Sequence, residues 1–231
     1  MDLKLPMLVL AGTAMAGGGS TVRAPPQMPW LHGLDSVRVT DEPQRHVEDR
    51  MAAGYEDLEC AAGATHGLVL KADIAPSAGM ETILASYARG LVVLDHEDQV
   101  IASMDGYPCQ GSADEVTSLA VGRAFLVPTI ALAITHGGHE ERTTELALFR
   151  IGFGGRIEPV FTAEVELRTG DNVRTGGVWL IPNGLLYQRP GGKTGLWIYD
   201  PVGGAYLYGG PLDETDEPPH AAPPPVAAYG S

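Results

Sequence analysis

Ala124-Phe125-Leu126-Val127-Pro128-Thr129-Ile130-Ala131-Leu132-Ala133-Ile134 is an apolar run of eleven residues, and its reading decides the fold. It is too short to cross a bilayer, which needs roughly 20 residues as a helix. Taken alone it suits either a buried helix or a strand buried on both faces. The surrounding sequence favours a strand. Pro128 opposes a helix interior. The run continues through Thr135 to a polar, glycine-bearing break, His136-Gly137-Gly138-His139-Glu140-Glu141. A second apolar segment, 146–151, follows directly. Apolar segments separated by such breaks, and enriched in β-branched and aromatic residues, predict antiparallel strands.

The same pattern extends in both directions. Upstream, strands are expected at 68–72, 82–87, 90–94, 100–104 and 118–124, with a polar turn at His96-Glu97-Asp98. Downstream they are expected at 158–167, after the Gly154-Gly155 turn, and then at 177–181, 184–187, 196–199 and 205–208. The 30 Gly and 18 Pro, about a fifth of the 231 residues, agree with many turns and few long helices. One short helix is expected over 42–58, where Asp41 can cap, Pro43 fits the first turn, and Val47 and Met51 share a face.

The strand groups begin near residues 68, 116 and 177, a spacing close to that of propeller blades but irregular. In the first group, Asp73-Ile74-Ala75-Pro76-Ser77-Ala78-Gly79-Met80-Glu81 precedes a strand, and the glycine-led Gly90-Leu91-Val92-Val93-Leu94-Asp95 follows it. This resembles a degenerate repeat of the FG-GAP/VCBS type, clearest over 68–104. The resemblance implies an irregular or incomplete propeller and a role in adhesion or assembly rather than catalysis. In many members the acidic loop holds calcium. Here only Asp73, Glu81 and the Ser77 hydroxyl offer side-chain oxygens, short of the six to eight ligands calcium takes. A two-sheet β sandwich is the close alternative fold, because a closed propeller normally needs four or more blades.

Outside this β domain, expected over 43–210, the chain changes character. Residues 1–16 read as a signal peptide, with Lys4, an apolar stretch and the small-x-small site Ala14-Met15-Ala16. Residues 17–42 form a Pro/Gly-rich linker or arm that Trp30 and Leu31 can anchor. Residues 211–231 are an acidic, Pro-rich tail expected to be disordered. The expected location is therefore periplasmic or extracellular, with cytoplasmic as the alternative and no transmembrane segment in the mature chain. In an oxidising compartment Cys60 and Cys109 can form one disulfide, stabilising by about 2–4 kcal/mol.

The formal charge of −14 sets nucleic acid aside as a partner, since phosphate backbones are repelled. Chemistry-bearing motifs are sparse. There is no Gly-x-Ser-x-Gly elbow. Pro190-Gly191-Gly192-Lys193-Thr194-Gly195 resembles the end of a phosphate loop but leads into a strand, so it reads as a hairpin turn. His136, His139 and Glu140 are the metal-ligand candidates, although a loop with two glycines fixes no ligand geometry. Glu164 and Glu166 read as a solvated strand face. The aromatics Trp179, Tyr187, Trp197, Tyr199, Tyr206 and Tyr208 suit core packing and cross-strand pairs, with a carbohydrate or peptide groove as the alternative.

These features predict a noncatalytic exported binding or assembly module. No catalytic residue and no cofactor is expected, and the partner is another protein or an envelope component, with carbohydrate as an alternative. A metal-dependent hydrolase, a carbohydrate-active protein and a purely structural β domain are the competing functions.

Overall fold

A computed structural model describes residues 28–40, 44–45, 67–75, 79–86, 90–104, 115–125, 127–138 and 140–212. Within them the chain is mainly β, in three sheets. The front sheet holds β3 (Gln44–Arg45), β4 (Gly67–Ala72), β5 (Glu81–Ser86), β6 (Gly90–Leu94) and β7 (Val100–Met104), paired in that order. The central sheet is built on β8 (Glu115–Ala124), β9 (Val127–Gly137), β10 (Glu141–Ile151) and β11 (Ile157–Thr169). Two short strands flank them, β2 (Asp35–Ser36) beside β8 and β12 (Asn172–Thr175) beside β11. The back sheet runs β1 (Leu31–His32), β13 (Gly177–Ile181), β14 (Gly184–Gln188), β15 (Thr194–Asp200) and β16 (Ala205–Pro211).

The central sheet explains the apolar run. Successive side chains of a strand point to opposite faces. Leu119, Val121, Ile130, Leu132, Ile134, Ala147 and Phe149 face the core shared with the front sheet. Their neighbours Ala120, Ala131, Ala133, Leu146 and Leu148 belong to the core shared with the back sheet. A strand covered on both faces has no solvent side, so its sequence loses the apolar–polar alternation. Its buried hydroxyls pair with one another. Thr135 lies 3.3 Å from Thr117 on β8 and 3.3 Å from Thr144 on β10.

Each sheet contains a four-strand antiparallel meander, and the three meanders pack as layers. The front and central sheets also touch at their edges, through a parallel bridge between Ser103 and Arg156. This arrangement fits the sandwich-like class and does not show the radial blades of a propeller. The physical difference lies in the shared faces, since one central sheet serves as the wall of two cores.

The arm joins the layers. Leu31 and His32 pair in parallel with Val178 and Trp179, and Asp35 and Ser36 pair with Arg123 and Gly122 of β8. Val39 then bridges Ala72 of β4. Met28, Leu34, Val37 and Val39 are buried, so residues 28–40 form part of the fold rather than a free linker. Gly33 makes the turn possible with φ 81°, where a Cβ would stand 2.7 Å from the Leu180 carbonyl.

Two expectations need correction. Gln44 and Arg45, inside the expected 42–58 helix, are extended and pair with Val69 and Leu68. Here the open edge of β4 offers backbone partners that outweigh local helix signals; the rest of that stretch lies outside the described residues. At the other end, the expected tail begins too early, because Pro211 closes β16 and the Leu212 N–H donates to the Thr194 carbonyl. The segment 1–16, Cys60, Cys109, His139 and residues 213–231 also lie outside the described residues.

Candidate functional site

The acidic loop before β5, which the sequence reads as short of calcium ligands, uses its acids internally. Glu81 is buried, and its Oε2 accepts hydrogen bonds from the backbone N–H groups of Ile74 (2.9 Å) and Ala75 (3.2 Å). Asp73 stands 3.4 Å from the Arg38 guanidinium on the arm. Both carboxylates therefore hold protein partners. The loop is braced by its own acids.

Two of the three metal-ligand candidates, His136 and Glu140, lie among the described residues. His136 is half-buried within β9, whereas Glu140 is exposed beyond the turn. Among the described residues no group of three His, Cys, Asp or Glu side chains has metal-holding geometry. The segment Pro190–Gly192 forms the turn between β14 and β15, as its sequence predicts, with φ 67° at Gly191.

The aromatic strands are more informative. Phe161 on β11 meets three rings of the back sheet edge-on, those of Tyr187 (5.8 Å), Trp197 (5.2 Å) and Tyr206 (6.1 Å). Trp179 stacks on His32 of the arm at 5.2 Å. The Phe161 contacts are the core packing expected of these rings, whereas Trp179 lies on the opposite face of the back sheet from Val178 and Leu180. The sheets are further tied by Arg150, which donates to Glu158 at 2.8 Å and to the Tyr199 hydroxyl. Gly204 leaves that guanidinium its space, since a Cβ there would fall 2.0 Å from it.

Tyr187, Trp197 and Tyr208 also line an open groove of ≈ 550 Å³ between β10–β11 and the back sheet. Glu145 and Glu164 line its central-sheet side, and Arg189 and Lys193 its back-sheet side. A β-bulge sets the two acids together. Glu166 pairs with Thr144 but Glu164 with Glu145, so Val165 is the extra residue and enters the back core. Directly opposed side chains on one face have Cβ atoms about 4.5–5.5 Å apart. Trp197 meets Tyr208 at 5.4 Å with 62° between the rings, forming an apolar corner. Gly195 makes room for it, because a Cβ would approach the Tyr208 ring to 2.9 Å.

The groove is electrostatically poised. Burial raises the Glu145 carboxyl above its ordinary range, His136 partly opposes this, and Glu164 adds to it. Burial likewise raises the Tyr187 hydroxyl. A raised folded-state value means that the folded protein holds this proton more tightly than the unfolded chain. The favourable contribution is full below the ordinary glutamate range and is lost as pH rises through the folded value. Glu145→Gln is therefore expected to raise the melting temperature at pH 7, with the gain shrinking as pH falls through the raised folded value and gone below 4.5, the unperturbed value. Thermal denaturation at several pH values tests this. An equal gain at every pH would refute it.

Glu164 is exposed, as a solvated strand face predicts, whereas no sequence motif points to Glu145, Arg189 or Phe161. The bulge and the approach of β14–β16 bring these residues together, and neither has a local sequence signature. Comparison of the chain with family models, curated proteins and solved structures finds no match.

Proposed function

We propose that this protein is a noncatalytic exported binding module whose recognition surface is the groove between β11 and the back sheet. The carrying observation is the lining, in which three aromatic side chains, two acids and two cations converge on one open concavity. Convergent polar groups around an apolar concave surface are the usual form of a ligand site. Export, envelope association and kinship to adhesion repeats remain part of the proposal and rest on the N-terminal sequence and the 68–104 motif.

The acid pair argues for binding over hydrolysis. A glycosidase places its two carboxyl groups on either side of the scissile bond. Glu145 and Glu164 are cross-strand neighbours on the same side of the groove. Acting together, they suit recognition of adjacent donor groups.

Crosslinked affinity capture from an envelope fraction tests the reading, with wild type and Tyr208→Ala compared. Tyr208 is 58% exposed, so its loss should leave the fold intact. The expected result is a reproducible set of components retained by wild type and depleted by the variant. Equal recovery by both proteins would reject the groove as the recognition surface. Stoichiometric zinc surviving dialysis would favour the hydrolase instead.

A further inference from the structure

We infer that the groove takes a neutral glycan chain, a ligand class that rests on the groove being the recognition surface. Charge is the first argument. The groove's two carboxylates face two cationic side chains, Arg189 and Lys193, so an ionic ligand of either sign would meet like charge. A chain of formal charge −14 also repels polyanions at long range. A neutral polyhydroxylated ligand avoids both penalties. Its hydroxyls can donate to the acids and accept from the cations, and hydrogen bonds to charged groups are the stronger kind.

Shape is the second argument. The exposed Tyr208 ring, set edge-to-face against Trp197, offers aromatic surface to the apolar C–H side of a pyranose, while the facing Glu145 and Glu164 can accept from neighbouring hydroxyls. A volume of ≈ 550 Å³ lies within the range of small-ligand sites, about 300–1,000 Å³. The groove is open, which allows a chain to enter and leave it.

Backbone chemistry is the third argument, and it disfavours a peptide. An extended peptide recognised by strand addition needs free main-chain groups along a sheet edge. At this edge of β11 the Glu164 carbonyl accepts from the Tyr187 hydroxyl at 2.7 Å. The next carbonyl, Val165, accepts from the Gly176 N–H at 2.8 Å. Strand addition at 164–165 would have to break both bonds, whereas a glycan held by side chains breaks neither.

Isothermal titration of the full chain with cellohexaose, maltohexaose and hexa-N-acetylchitohexaose tests the inference. Hexagalacturonate and a lysine-rich decapeptide serve as the acidic and basic probes. At least one neutral hexasaccharide should bind, and Tyr208→Ala and Glu164→Gln should each weaken it about tenfold or more. Neither variant removes a buried side chain, and an unchanged melting temperature would exclude misfolding as the cause. Binding of hexagalacturonate or the decapeptide alone, lost in the same variants, would overturn the glycan assignment and leave the groove as the recognition surface. If no probe binds and envelope capture ignores Tyr208→Ala, both the ligand class and the groove fall.

Discussion

Phe149→Ala is expected to destabilise the protein by about 3–5 kcal/mol, the usual cost of emptying a fully buried aromatic site. Phe149 is wholly buried on β10, opposite Ile130 of β9, in the core between the front and central sheets. That core is walled by two sheets whose backbones are fixed by their ladders, so it cannot collapse far into the vacated space. The loss of transfer energy and the cost of the cavity then add. Urea denaturation followed by circular dichroism measures the difference. A loss below about 1 kcal/mol would mean that the layers repack freely, contrary to close-packed sheets.

Gly122→Val should release the arm. A Cβ at Gly122 would stand 2.4 Å from the Asp35 carbonyl oxygen and 2.5 Å from the Leu34 side chain. The first obstacle is backbone, so a rotamer change cannot relieve it. Overpacking of this kind costs about 1–3 kcal/mol and occasionally more. Displacement of the arm would also expose Met28, Leu34, Val37 and Val39, each worth about 1.5–3 kcal/mol when buried. Recovered chain entropy offsets part of this, about 1–2 kcal/mol per freed residue. The clearest readout is therefore limited proteolysis, with new cleavage expected within residues 28–40. Gly138→Ala is the matched control, because nothing lies within 4 Å of its added Cβ. An arm that stays protected in Gly122→Val would refute its docking against β8.

Both variants act on features of unequal visibility in the sequence. The burial of Phe149 could be read from 146–151, a β-rich apolar segment beside a polar break. The arm's place could not. Its Pro/Gly-rich composition signals no regular element, yet the two-residue strands β1 and β2 need only a free sheet edge, with Gly122 making room opposite β2. Likewise, Asp95 holds the expected 96–98 turn by accepting from the N–H groups of Glu97 (2.8 Å) and Gln99 (2.9 Å), an interaction local enough to be anticipated. The groove has no such local origin.

By itself the sequence determined that this chain makes antiparallel strands, and where most of them begin and end. Alternation, β-branched residues and Gly/Pro turns act over a few residues, so they are written locally. Tertiary structure alone decided that the apolar run serves two cores, because a strand buried on both faces carries no record of which sheet covers which side. It also decided the site. A single bulge sets Glu164 opposite Glu145, and only the approach of the back sheet brings Tyr187, Trp197 and Tyr208 beside them. Residues tens of positions apart converge there through nonlocal packing, for which no periodicity in the chain supplies a signal.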